Sequence, residues 1–322
     1  MEQKQWGDKP YYSLDSYLKN QYGEKVYKVS LNGGMTCPNR DGTLDTRGCI
    51  FCSEGGSGEF TPVLLPVQSD RTTWSNIGIQ IEQAKLLLSG KQAGKKYIAY
   101  FQAYTNTYAS VEYLHEIFTQ AIEHPDVVGI SIATRPDCVS DEVIELLAQL
   151  NLIKPVWIEL GLQTIHENTA NMIRRGYDLV CFEEAVGRIR KKGLDIIVHL
   201  ILGLPGETKA QMLASISYIN GQEIQGVKLQ LLHILKNTDL AKLYEENPFH
   251  VFTLTEYADI LCDIIAHLSP KIVIHRITGD GPKRLLMEPK WSGNKKNVLN
   301  TIHKELKVRG IYQGSAYRLG KE

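Results

Sequence analysis

Three cysteines, Cys37, Cys49 and Cys52, stand in the spacing C-x11-C-x2-C within a loop rich in glycine. Thiolates are soft ligands, and three of them are one short of the four protein ligands that close a structural zinc site. A 4Fe-4S cluster held by three thiolates instead keeps one iron open to a small molecule. A zinc knuckle completed by Asp41 or by a distant histidine is the other chemistry this spacing allows. Phe51 lies between the last two thiols, where a ring can shield an inorganic centre. Pro38, Asn39, Asp41, Gly42 and Gly48 break any helix or strand between the first two thiols, and Gly55, Gly56 and Gly58 let the backbone pack tightly after the third. Cys138, Cys181 and Cys262 are scattered singly among periodic segments. They read as small buried hydrophobes of a reducing compartment, and no second cysteine cluster points to an auxiliary centre.

The elements that must position this loop alternate along the chain. Short apolar runs closed by polar or glycine positions predict strands at 25–31, 97–104, 127–134, 156–163, 195–204 and 226–235. They read as parallel strands buried on both faces. Helical periodicity falls between them at 111–124, 141–150, 182–192 and 209–220, with Ser140 and Thr208 placed as N-caps. Six βα units predict an α/β fold, a partial (β/α)6 TIM barrel in preference to a flat doubly wound sheet. Either architecture places chemistry at the strand C-termini. A core is expected over residues 1–236 and a small α/β extension over 237–322, with helices at 254–268 and 298–307, a strand at 271–277 and a turn at Gly279, Gly281 and Pro282.

Lys plus Arg equals Asp plus Glu at 36 each in 322 residues, so no global field advertises nucleic acid or membrane. From Lys283 to the end, ten basic residues face three acidic ones. Lys283, Arg284, Lys290, Lys295 and Lys296, with Trp291 between them, offer phosphate contacts and one stacking ring; a solvated tail is the plainer reading. Residues 1–10 are polar and the longest strongly apolar stretch, 196–204, is too short to cross a bilayer, so a cytoplasmic protein without membrane partners is expected. No fixed-period repeat or low-complexity segment occurs.

Four further motifs follow the cysteine loop in order on successive strand ends: Phe101-Gln102-Ala103-Tyr104-Thr105-Asn106-Thr107, Ala133-Thr134-Arg135-Pro136-Asp137, Glu159-Leu160-Gly161-Leu162-Gln163, and His199-Leu200-Ile201-Leu202-Gly203-Leu204-Pro205-Gly206-Glu207. Together they resemble a radical S-adenosylmethionine (SAM) protein over nearly the whole chain. The pattern is similar to the YhcC/YtqA family, to the radical domain of the elongator catalytic subunit and, more distantly, to the coproporphyrinogen dehydrogenase group.

The resemblance implies an enzyme in which SAM chelates the open iron of a 4Fe-4S cluster on Cys37, Cys49 and Cys52 and is cleaved to a 5'-deoxyadenosyl radical. It implies SAM contacts from Gln102 or Thr105, where relatives often carry glycines, from Gln163 to the ribose, and from Arg175 to the methionine carboxylate, with Arg174 as the rival for that task. His199 is implied at ribose or adenine, and Gly203 beside the purine. Relatives commonly carry Glu where Ala133 stands; Arg135 and Asp137 then either line the substrate side, or Arg135 pairs with buried Glu159. No catalytic acid or base is assigned. The implied substrate is tRNA, at the 5-substituent of wobble uridine, with carboxymethylaminomethyl to aminomethyl conversion the narrowest form. An electron donor such as flavodoxin or ferredoxin is implied as a partner. A small-molecule substrate such as a tetrapyrrole, and a non-catalytic metal-containing RNA-binding protein, are the competing expectations.

Overall fold

The computed structural model describes residues 6–56, 58, 61, 76–88, 90, 94–279 and 281–318. Seven parallel strands form one curled sheet, a half-barrel, in the order β1 (Val26–Leu31), β2 (Lys96–Phe101), β3 (Val127–Thr134), β4 (Val156–Gln163), β5 (Asp195–Leu202), β6 (Gly226–Leu231) and β8 (Val273–Arg276). The partial barrel expected from sequence is thus present. Its seventh strand is the segment predicted at 271–277, which lies hydrogen-bonded beside β6 in the main sheet. The outer edge of β8 is met low down by the N-terminal segment, where Ile274 N–H donates to the Tyr12 carbonyl at 2.8 Å. β1 and β8 are the two ends of the sheet, so the barrel has a lateral seam between them.

Helices α1 (Leu14–Tyr22), α2 (Ile77–Leu87), α3 (Val111–Glu123), α4 (Asp141–Asn151), α5 (Glu167–Met172), α6 (Leu179–Lys191) and α7 (Lys209–Asn220) punctuate the strands, and α8 (Asp239–Glu246), α9 (Leu254–His267) and α10 (Lys295–Val308) follow. Ser140 and Thr208 cap α4 and α7 as predicted, and Thr208 completes a capping box with Gln211. Each such cap contributes about 1 kcal/mol. α10 starts three residues earlier than its apolar periodicity suggests, because the Asn294 side chain accepts from Asn297 N–H.

Two predicted strands overrun because the backbone turns where side-chain pattern gives no warning. β2 stops at Phe101 and Tyr104 adopts φ 59°, while β5 stops at Leu202 and Gly203 adopts φ 86°. Positive φ is incompatible with a continuing strand. The segment expected as one strand over 226–235 divides at Leu232 and His233, and β7 (Ile234–Leu235) leaves the sheet to pair antiparallel with β9 (Leu286–Glu288).

The strands are buried on both faces, but the two faces differ. One parity, including Leu31, Phe101, Ile132, Leu160, Leu200 and Leu229, packs on Leu114, Ile117, Phe118, Ile216 and Leu261 of the surrounding helices. The other parity fills the barrel in layers. Val26, Ile98, Trp157 and Ile197 plug the bottom together with Leu18 of α1. Lys28, Tyr100, Ser131, Glu159, His199 and Lys228 form a charged layer above it.

Candidate active site

The cysteine loop crosses the top of the barrel and is fixed by its own backbone. Arg40 and Asp41 N–H groups donate to the Cys37 carbonyl, Cys52 N–H donates to the Cys49 carbonyl, and Gly48 N–H donates to Asn39. Arg40 reaches the carbonyls of Cys52 and Ser53 at 2.9 and 2.7 Å, and its stem lies where any Cβ on Gly48 would stand. Asn39 Nδ2 donates to Arg174 O at 2.8 Å and lies 3.5 Å from Cys49 Sγ. The loop after β2 is stitched to the same structure on both sides: Tyr104 N–H donates to Gly56 O, and Thr105 N–H to Thr36 O. Gly56 sits at φ 58° with the Tyr104 ring against its Cα, so a side chain there has no room.

All three thiols line one cavity of about 260 Å³ at the strand C-termini. Among the described residues no trio of ligand atoms that includes these thiols lies within 4.8 Å of one another. A single tetrahedral zinc draws its thiolates to about 3.8 Å apart. The three thiols are therefore not gathered about a single ion, although they line one cavity. Burial pushes the Cys49 thiol up to about 12, with Cys52 adding to the effect, so its thiolate calls for a cationic centre beside it. Asp41, the proposed fourth zinc ligand, is exposed, accepts from Thr43 N–H at 3.0 Å and does not line the cavity. Phe51 does line it, packed against the cluster of Ile50, Ile173 and Leu204.

Gln102, Thr105, Gln163, Arg175 and His199 share this cavity with the cysteines, as does Arg135. Gln163 closes β4 on a bulge at φ 60° and accepts from the Tyr177 hydroxyl at 3.1 Å. Arg175 is fully buried and donates to the Tyr177, Leu162 and Thr164 carbonyls and to Glu167 Oε1 at 2.7–3.1 Å. Four of its five N–H donors are thus spent on protein, which gives it the work of clamping the end of β4. Arg174 turns away to Asp239 at 2.5 Å. Arg135 forms a bidentate pair with Asp137 at 2.9 and 2.6 Å and donates to Arg175 O. The alternative pairing of Arg135 with Glu159 does not occur. Gly203 is outside the cavity lining and packs its Cα on the Phe252 ring.

Glu159 is fully buried and its two oxygens each accept twice. Oε1 takes Lys28 at 2.7 Å and Ser131 at 2.5 Å; Oε2 takes His199 Nε2 at 2.7 Å and Lys228. Burial alone would raise its pKa, but the charges of Lys228 and Lys28 reverse this and hold it well below the carboxylate range. His199 is pressed down to about 4 by burial and by Lys228, against the opposing pull of Glu159. It is neutral at physiological pH, with Nε2–H donating to the carboxylate and Nδ1 facing Gln230 Nε2 at 3.5 Å. Burial also lowers both lysines. The Tyr100 ring lies 4.8 and 4.2 Å from the two ammonium groups, and its hydroxyl accepts from Lys228 at 2.9 Å. Lys28, Lys228, Tyr100 and Arg276 escaped the sequence reading; the available signal was a single lysine as the third residue of each of two largely apolar strands.

A second cavity of about 940 Å³ opens at the seam and shares Tyr100, Gln102, Lys228 and Arg276 with the first. Lys283 and Lys295 of the basic segment line it, both exposed, together with Lys28. Arg284 and Lys296 are exposed outside that lining. Lys295 and Lys296 occupy the first turn of α10, the positive end of a helix dipole, where cations are disfavoured and an incoming anion is welcome. Trp291 does not offer the expected stacking face: its ring packs 5.7 Å from Tyr257 and its N–H donates to Phe252 O at 2.8 Å. Asp137 faces a shallow hollow on the far side of the β3 loop.

A half-barrel with three thiols spread over its C-terminal mouth defines an iron-sulfur enzyme of the radical SAM type. The chain belongs to the radical SAM superfamily, which it matches over residues 46–219, followed by a match to the Radical_SAM C-terminal domain over 224–308. It is 44% identical to the protein YtqA of Bacillus subtilis over 97% of this chain and 94% of that one, and 36% identical to YhcC of Escherichia coli over 93% of each. The solved structure of the archaeal Elp3 of Methanocaldococcus infernus superposes with a TM-score of 0.65 at 16% identity, covering 89% of this chain and 64% of that one. The cofactors are a 4Fe-4S cluster and SAM. When bound, they supply a 5'-deoxyadenosyl radical by one-electron cleavage of the sulfonium. Among the described residues no helix is long and apolar enough to cross a membrane.

Proposed function

We propose that this radical SAM enzyme acts on the 5-substituent of wobble uridine in tRNA and converts a carboxymethylaminomethyl group to an aminomethyl group. Cys37, Cys49 and Cys52 hold the cluster, and Gln102, Thr105, Gln163 and His199, which face the same cavity, contact SAM. Arg175 serves that site by fixing the end of β4. The observation that carries the substrate reading is the seam cavity: it adjoins the cysteine mouth and has exposed Lys283 and Lys295 on its wall. A macromolecular polyanion needs such a cationic rim to hold a nucleotide over a radical site. Flavodoxin or ferredoxin supplies the electron. Nucleoside analysis of tRNA from a deletion strain tests the proposal: carboxymethylaminomethyl nucleosides should accumulate and their aminomethyl-derived products should disappear. An unchanged profile would overturn it and favour a small acidic substrate such as a tetrapyrrole.

A further inference from the structure

The charged layer has an imbalance that its packing does not require. Two amino groups, those of buried Lys228 and partly buried Lys28, share the single carboxylate of Glu159, whose four acceptor positions are already filled by the two lysines, Ser131 and His199. His199 carries no charge, so it does not offset either lysine. Removing charge from water is expensive unless it is matched, and a one-to-one pair would match it more cheaply than a two-to-one set. Each lysine makes two hydrogen bonds, Lys28 to Glu159 and Ser131, Lys228 to Glu159 and Tyr100, so each keeps one N–H donor in hand. Both side chains line the seam cavity, and Lys228 also lines the cysteine cavity. The Tyr100 ring makes a cation–π contact to each, 4.8 Å from Lys28 Nζ and 4.2 Å from Lys228 Nζ.

We propose that Lys28 and Lys228 form a carboxylate-recognition site that reads the acidic tip of the substrate's substituent and sets the enzyme's specificity. This rests on the wobble-uridine reading for the identity of the substituent. A backbone phosphodiester is the other available oxyanion, but it is flanked by two sugars and meets exposed lysines at the rim first, whereas a substituent tip is slim enough to reach a layer enclosed by strands. Glu159 is the positioning residue, since it orients both lysines and leaves their remaining donors free.

The test compares two anticodon stem-loop RNAs that differ only in carrying 5-carboxymethylaminomethyluridine or 5-aminomethyluridine. The reconstituted parent should bind the carboxylate-bearing RNA at least tenfold more tightly. Lys228→Met and Lys28→Met should each abolish that preference while changing affinity for the aminomethyl RNA less than twofold, and Lys295→Glu should weaken both RNAs alike. Each single lysine variant leaves a one-to-one ion pair, so its melting temperature should equal or exceed that of the parent. A fall of several degrees in both variants would mark the lysines as structural and overturn the assignment. Retention of the preference in either variant, with the deletion-strain nucleoside profile as expected, would overturn the lysine site and leave the proposed reaction standing. A parent with no preference, together with an unchanged tRNA profile, would overturn both.

Discussion

The cysteine mouth and the charged layer beneath it are neighbours assembled in opposite ways. The mouth takes its three thiols from the single stretch 37–52, held by turns that Pro38, Asn39, Gly42 and Gly48 make locally. The layer takes one side chain from each of six strands, from Lys28 on β1 to Lys228 on β6. A local site survives as a unit if its loop is intact, while a dispersed one depends on strand register, because a one-residue slip turns each inward side chain outward. Hence the mouth should respond to substitution by losing its cofactor, and the layer by losing stability or specificity.

The largest contrast is expected from the cysteines themselves. Replacing Cys37, Cys49 or Cys52 with Ala should abolish bound iron and sulfide and all 5'-deoxyadenosine formation, measured after anaerobic reconstitution, with little change in folding. Replacing Cys138, Cys181 or Cys262 should leave iron content at the parent level. If a loop variant keeps a full cluster, the mouth is not the metal site.

Glu159→Gln should do the reverse. Removing the carboxylate leaves buried Lys228 and partly buried Lys28 without a counter-charge, at a cost of about 3–5 kcal/mol in urea unfolding. A loss under 1 kcal/mol would show that the layer is far better solvated than its burial indicates.

His199 links the layer to pH. Its folded pKa of about 4 lies below the ordinary value of 6.5, so the unfolded chain takes up a proton first. The resulting stability is fully present above pH 6.5 and is lost as pH falls toward 4, on the order of 3 kcal/mol in all. His199→Asn should flatten that part of the stability profile, measured by denaturant titration across pH 4 to 7. An unchanged slope would place the acid sensitivity elsewhere.

The join between the two loops is smaller in energy. Gly56→Ala must accept both a positive φ and the Tyr104 ring, so about 2 kcal/mol of local strain should appear as faster cluster loss in a chelator challenge. Equal retention would mean that the Gly56 to Tyr104 contact does not brace the mouth.

The smallest effect on the fold should come from the rim. Lys295→Glu with Lys296→Glu should raise helix stability by a few tenths of a kcal/mol per residue, since acids suit a helix N-terminus. The same pair should weaken tRNA binding and reduce its salt slope by about one to two units, with substrate-free SAM cleavage unchanged. Parent-like tRNA binding would make these lysines a solvated helix end.

The sequence by itself determined what rests on adjacent residues: the thiol spacing, the turns around it, the alternation of strand and helix, and caps such as Ser140 and Thr208. These are set by local φ/ψ limits and by periodicity, and both are written along the chain. Strand ends at Tyr104 and Gly203, the split at Leu232 and His233, and the inclusion of β8 in the main sheet were decided by long-range hydrogen bonds that no local pattern encodes. Arg175 had the residue type for a carboxylate ligand, but only the fold reveals its guanidinium committed to the end of β4. Lys28, Glu159 and Lys228 each look like an isolated polar residue in an apolar strand. Curling the sheet brings all three onto one inner face, and it is burial together, where water screens them less, that turns three separate charges into one interacting group.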